Sequence, residues 1–220
     1  MTPKHQPRKK TRDKLLDVAE KMFAEHGFDA VSVRDITDGA NVRLASVNYY
    51  FETKRKLFLA VVSRRATVLN QDRRTALEKI PFADLTPEDG VRAIAHAFID
   101  PMYRRSTQGD EGWKSYCRLI AQQAALRHSP GITAEFFNPF ALELIAKLKM
   151  ILPGLEDRQA HYAFQYMIGA TIYLFTENER LDSLSDGKYS SHDLDTLCDD
   201  LAKFMTGGVT ALASSSGSPE

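Results

Sequence analysis

The chain has 220 residues, 43% of them hydrophobic, which fits a cored globular protein and excludes disorder for most of its length. Its 29 Lys and Arg balance 29 Asp and Glu, and a zero net charge taken alone argues against a nucleic-acid binder. The average hides a split, with 16 basic against 9 acidic residues over 1–75 (net +7) and −7 on the remainder, so the front end alone suits a polyanion. Residues 1–10 are basic, contain Pro3 and Pro7, and are expected to form a flexible basic arm. From Thr11 onward Leu15, Leu16, Ala19, Met22 and Phe23 share one helical face, and Gly27 is placed to end that helix. Ser32 to Asp35 forms a Ser/Thr-x-x-Asp/Glu box just before Ile36, which marks a second helix start. That helix must be short, because Gly39, Ala40 and Asn41 follow; Asn41 tolerates a left-handed backbone and suits a tight turn. A third helix is expected from about Arg43 to Phe51. Thr53 then caps a long fourth helix that carries Leu57, Phe58, Val61 and Val62 into the seventies. Beyond Pro81 the breakers Pro87, Gly109 to Gly112, Pro130-Gly131, Pro153-Gly154 and the stretch LDSLSDGKYSS separate five more segments of helical spacing. Strand-like alternation is missing, so the expected fold is all-α: a three-helix head joined by a long helix to a larger helical body, with SSSGSPE as a disordered tail.

The stretch NVRLASVNYYFETKRKLF (41–58) is unusual for a core helix, which would space its aromatics three or four apart. Two short helices with a tight turn make a helix-turn-helix, whose second helix enters a major groove about 12 Å wide. Small Ala45 and Ser46 then let the helix approach the base edges. Val47 and Phe51, four apart, are expected to point inward, with Asn48, Tyr49 and Tyr50 toward DNA. Lys54 opens the next helix, adding a charge and free amides for one phosphate. Taken alone, the Lys54-Arg55-Lys56 run also reads as a solvated face, and Tyr50 equally as a core aromatic of a small bundle.

The segment GFDAVSVRDITDGANVRLASVNYYFETKRKLF, preceded by KLLDVAEKMFAEHGF, resembles the DNA-binding domain of the TetR family of bacterial transcriptional regulators over about 50 contiguous residues. It departs from the family pattern at Thr37, often alanine, at Asn41, often glycine, and at Asn48, which replaces the first tyrosine of a Tyr-x-His/Tyr-Phe motif. The longer string NVRLASVNYYFETKRKLFLAVVSRR is similar to a subgroup that includes fatty-acid-responsive regulators. The resemblance implies phosphate contacts from Thr11, Ser32, Asn48, Tyr50 and Lys54, a guanine contact from Arg34, and a recognition surface of Arg43, Leu44, Ala45, Ser46 and Tyr49. It also implies four regions: a 1–10 arm, an 11–56 helix-turn-helix domain, a 57–213 effector-binding and dimerisation domain, and a 214–220 tail.

The body is rich in aromatics. Most belong to its core, yet the family resemblance implies an apolar pocket for a small hydrophobic or amphipathic effector, for which Phe98, Met102, Trp113, Tyr116, Ile120, Phe137, Tyr162 and Tyr166 are the candidates. The last two long segments carry Phe164, Ile168, Ile172 and Phe175, and Leu197, Leu201 and Phe204, and the family resemblance implies that these form a homodimer interface, the two-fold dimer reading a palindromic operator on double-stranded DNA. Purely intramolecular packing of the last helix is the competing reading. Cys117 and Cys198 lie outside any CxxC spacing and the six histidines outside any HxxxH or HxH spacing, so neither a metal nor a disulfide is expected. No catalytic motif and no cofactor signature such as GxGxxG occurs, and no apolar run reaches the roughly 18 residues of a membrane span. The expectation is a cytoplasmic, ligand-responsive repressor, not an enzyme. A helical small-molecule binder with a merely structural basic head, and an architectural DNA binder of little sequence preference, are the alternatives.

Overall fold

The computed structural model describes residues 6–125, 133–176 and 178–214, and among these every regular element is helical. Residues 1–5 of the expected arm and 215–220 of the expected tail lie outside the described residues. In chain order the helices are α1 (Gln6–Ala30), α2 (Val33–Gly39), α3 (Ala45–Phe51), α4 (Lys54–Glu78), α5 (Pro87–Gln108), α6 (Glu111–Ala125), α7 (Asn138–Ile151), α8 (Asp157–Leu174), α9 (Arg180–Leu184) and α10 (Leu194–Ser214). α1 begins five residues before the expected Thr11. Pro7 does not prevent this, because the first N–H groups of a helix have no intrahelical partner and a proline there removes nothing. Its regular geometry ends at Gly27, whose φ of 81° no other residue adopts readily.

The contacts divide the chain into two compact units. The first contains residues up to Thr67 and also Gly109–Phe136; the second contains Val68–Gln108 and the chain from Phe137. The division falls inside α4 at Thr67/Val68, whereas the expected boundary lies at 56/57, and it places α6 with the N-terminal helices.

In the first unit α1 packs on α2, α3 and α6. Leu15, Leu16, Ala19 and Phe23 of α1 meet Ile36, Val47, Leu57 and Phe58 in one buried core. Phe23 and Phe58 cross edge-on at 5.1 Å, and Phe28 closes the cluster 4.8 Å from Phe58. A Cβ on Gly39 would come within 2.8 Å of Met22 Cε, so its missing side chain lets α2 approach α1. Beneath this core Glu20 of α1, 3% exposed, accepts hydrogen bonds from Arg64 (2.8 Å) and Arg65 (3.0 and 3.1 Å) of α4. Arg65 also grips Asp110, ahead of α6, at 2.8 and 3.1 Å, and stacks 4.9 Å over Trp113. This clasp ties α1, α4 and the start of α6 together.

In the second unit α5 packs against α10 and α7, while α8 contacts both α7 and α10. The Phe98 ring stacks on Phe140 at 6.3 Å and meets Phe164 edge-on at 6.1 Å. The buried Arg73 guanidinium donates to the Phe98 carbonyl at 2.9 Å and covers its ring at 4.1 Å. Arg74 pairs with Glu143 at 2.9 Å and Arg105 with Asp72 at 2.7 Å, holding the second half of α4 to α7 and α5.

Candidate nucleic-acid interface

Local chemistry fixes both ends of the helix-turn-helix. The Ser32 hydroxyl accepts the Asp35 N–H at 3.1 Å and the Asp35 carboxylate accepts the Ser32 N–H at 2.8 Å, a complete capping box worth about 1 kcal/mol. The Ser32 hydroxyl, and then the Ser32 N–H, hold the Asp35 carboxyl below the usual aspartate value of 3.8. Accepting the cap bond leaves the Ser32 hydroxyl its proton, which a phosphate oxygen would take in competition with the Asp35 carboxylate. Buried Thr37 returns its hydroxyl to the Arg34 carbonyl at 3.0 Å, which satisfies a polar group where the family often has alanine. Asn41 adopts φ 53°, and the turn is closed by Asn41 N–H to Asp38 O and Val42 N–H to Thr37 O, both at 3.0 Å.

α3 starts at Ala45, two residues later than expected, because Arg43 and Leu44 are spent on i to i+3 bonds to Ser46 (2.8 Å) and Val47 (3.3 Å). Val47 and Phe51 are buried and anchor this helix. The opposite side presents Arg43, Leu44 (55% exposed), Ala45, Asn48 and Tyr49 (65% exposed). Ser46 and Tyr50 are half-buried, and the Tyr49 and Tyr50 rings meet edge-on at 4.9 Å. Arg34 is exposed on α2 and Thr11 half-buried on α1. Thr53 caps α4 by accepting the Lys56 N–H at 3.1 Å. The Lys54 ammonium rests 4.3 Å over the Phe28 ring, which sequence alone does not indicate, and Lys56 is paired with Glu52, so the basic run is not uniformly free. Glu52 itself holds a left-handed φ of 63° at the end of α3.

The body candidates are divided between the two units. Phe98, Met102 and half-buried Phe137 belong to the second unit; buried Trp113 and Tyr116 and half-buried Ile120 belong to the first. Tyr162 and Tyr166, expected in a pocket, face outward at 53% and 62% exposure. α8 explains this: its buried positions are Ala160, Ala163, Met167 and Thr171, a helical stripe of mostly small residues, so the tyrosines fall on the other face. The expected interface stripe is likewise divided by burial. Phe175 is 3% exposed and belongs to the core of the second unit, whereas half-buried Phe164 meets Phe98 edge-on with one side of its ring. Ile168, Ile172, Leu197 and Leu201 are half-buried, and Phe204 stands 75% exposed. Cys117 and Cys198 are buried, and among the described residues no metal-type ligand group converges and no helix is long and apolar enough to cross a membrane.

A family model described as "Bacterial regulatory proteins, tetR family" matches residues 15–61, and one described as "Tetracyclin repressor-like, C-terminal domain" matches residues 96–208, slightly over half of the chain. The chain belongs to the TetR family. TetR proteins are transcriptional regulators and not enzymes. The "Probable acrEF/envCD operon repressor" of Escherichia coli K12 is 37% identical over 112 residues, 46% of this chain and 51% of that protein. The transcriptional repressor NicS of Pseudomonas putida is 33% identical over 96 residues, 44% of this chain and 43% of that protein. The chain thus spans about half the length of the curated relatives it matches. Among solved structures, a TetR-family regulator of Streptomyces coelicolor superposes with TM-score 0.57 at 16% identity, over 93% of this chain and 90% of that one. FadR of Bacillus subtilis in complex with stearoyl-CoA superposes with TM-score 0.56 at 18% identity, over 89% and 98%. These two establish the fold.

Proposed function

We propose that this TetR-family chain is a dimeric, ligand-responsive repressor that leaves a palindromic operator when a small hydrophobic or amphipathic effector binds. The observation that carries the reading is the division of α3: Val47 and Phe51 bury one side, and the side with Arg43, Ala45, Asn48 and Tyr49 is left to solvent beside a basic α4 start. In this reading Arg34 reads a guanine edge, Ser32, Asn48, Tyr50, Lys54 and Thr11 hold phosphates, and Arg43, Leu44, Ala45, Ser46 and Tyr49 line the groove. A repressor named NicS among the relatives and the bound stearoyl-CoA of FadR support repression and an amphipathic effector class. Effector binding shifts the population toward a conformation whose two recognition helices no longer match successive major grooves.

The test is a fluorescence-anisotropy titration of the full chain on the duplex upstream of its own reading frame, with scrambled competitor and a salt series. Specific affinity at least a thousand-fold above scrambled DNA is expected. Equal affinity for both duplexes would turn the reading toward an architectural binder, and no binding in dilute buffer would remove it.

A further inference from the structure

The inward stripe of α1 ends on a cation. Leu15, Leu16, Ala19 and Phe23 are at most 1% exposed, and helical spacing runs their stripe back through position 12, which holds Arg12. Lys10, Lys14 and Lys21 are exposed on the opposite side of the helix, together with Asp17. Arg12 therefore stands where the pattern asks for an apolar side chain, and it is exposed. Its guanidinium carbon lies 5.4 Å over the ring of Phe51, the buried anchor that ends α3. A leucine would cover that ring at no electrostatic cost. In a head of net +7 over residues 1–75, a cation placed there is repelled by its neighbours, and a polyanion reverses that sign.

A contact with a ring face uses none of the guanidinium N–H donors, so all of them remain for acceptors. Among the described residues Arg12 pairs with no carboxylate. Glu52, next to Phe51 in the chain, gives its carboxylate to Lys56 instead. Lys54 is seated in the same manner, 4.3 Å over Phe28. The neighbourhood is that of the candidate interface. Thr11 precedes Arg12, Tyr50 precedes Phe51 with its ring 6.3 Å away, and α4 opens at Lys54 just beyond. Through its chain neighbour and the ring it covers, Arg12 thus stands beside residues proposed above to hold phosphates.

We propose that Arg12 is a further phosphate-binding residue of this interface, gripping one DNA phosphate bidentately while seated on Phe51. The contact carries no base information; its work is register. Because the guanidinium rests on the last residue of α3, the phosphate it holds is tied directly to the recognition helix, and the depth and angle of that helix in the groove are tied to the DNA backbone. The assignment rests on the DNA-binding reading above and adds to it a residue on α1.

Anisotropy titrations of the full chain on the upstream duplex and on scrambled duplex, each over a salt series, test the assignment. Arg12→Met keeps an apolar cover on Phe51 and removes the charge. It is expected to weaken binding to both duplexes severalfold and to flatten the log–log salt dependence by about 0.9 for each lost contact. Arg12→Lys should keep the salt slope and lose part of the affinity, since an ammonium cannot grip two oxygens as a fork does. Lys21→Met removes an equal charge from the outward side of the same helix and should leave the slope unchanged; circular dichroism verifies the fold of each variant. A residue that only covers Phe51 would be replaced by methionine without loss, so a wild-type slope in Arg12→Met overturns this proposal while the DNA-binding reading stands. Equal flattening by Lys21→Met, or by Arg12→Lys, overturns it as well. Failure of the wild-type chain to bind either duplex removes both readings.

Discussion

Single residues of the head divide into those that hold the motif and those that are presented by it. Ser32 does both, accepting the cap bond while keeping a proton to donate, so Ser32→Ala should cost about 1 kcal/mol of stability in addition to a phosphate contact. Arg34 and Lys54 should be separable by the kind of loss they cause. Arg34→Ala is expected to relax preference at one base pair per half-site by about 1–3 kcal/mol while leaving affinity for random duplex almost unchanged. Lys54→Ala should weaken every sequence alike and flatten the log–log salt dependence by about 0.9 for each lost phosphate contact. The Lys54 ammonium already rests 4.3 Å over Phe28, so this variant should also lose about 0.5–1 kcal/mol of stability without DNA present. Anisotropy titrations on operator and scrambled duplex at several salt concentrations read both effects. An Arg34→Ala variant that loses equally on both duplexes would contradict the base-reading role.

At the scale of helices, the clasp beneath the head makes the strongest energetic claim. Glu20 is almost wholly buried between two arginines, and removing one partner of such a set leaves uncompensated charge inside; Glu20→Ala should cost about 3–5 kcal/mol in urea unfolding. Gly112→Ala should cost less than Glu20→Ala, because a Cβ there would fall 2.0 Å from Arg65 Nη2 and 2.5 Å from Glu20 Oε2 and displace these side-chain ends while leaving both charges in place to pair again. Burial works against the Arg65 charge, but its bonds to Glu20 and Asp110 outweigh burial and raise its pKa. The Arg65 hydrogen bond in turn holds Asp110 below the ordinary 3.8. A carboxyl lowered by folding contributes stability above its unfolded value and loses it as pH falls through the folded one. Wild-type stability should therefore drop more steeply below about pH 4 than that of Asp110→Asn. None of this clasp is legible from the chain alone, since its parts lie 45 residues apart. The helix-turn-helix was legible because its signals are local: the Ser32–Asp35 box, the Asn41 turn and the Thr53 cap each act within three or four residues. Body helices lack such signals. α8 is apolar on two sides, and periodicity does not say that Ala160, Ala163 and Thr171 turn inward while three tyrosines turn out.

Tyr162, Tyr166 and Tyr173 on α8 and Phe204 on α10 are 53–75% exposed, on two helices that pack on each other. Gly169, Gly207 and Gly208 have nothing within 4 Å of a would-be Cβ, leaving room for close approach of another helix. Large aromatics left in water carry an unrealised burial of about 25 cal/mol per Å², and interfaces concentrate their energy in a few such anchors. Phe204→Glu should therefore raise the dimer dissociation constant by roughly thirtyfold or more, an anchor loss of about 2 kcal/mol or greater. Light scattering across a dilution series measures it, and circular dichroism should show no loss of helix because the side chain makes little contact within its own chain. The DNA consequence is specific: affinity for the full palindrome should fall toward that for a half-site, while half-site affinity stays constant, because the recognition surface on α3 is untouched. A Phe204→Glu protein that remains dimeric and binds the palindrome at wild-type strength would exclude this face and return α10 to purely intramolecular packing.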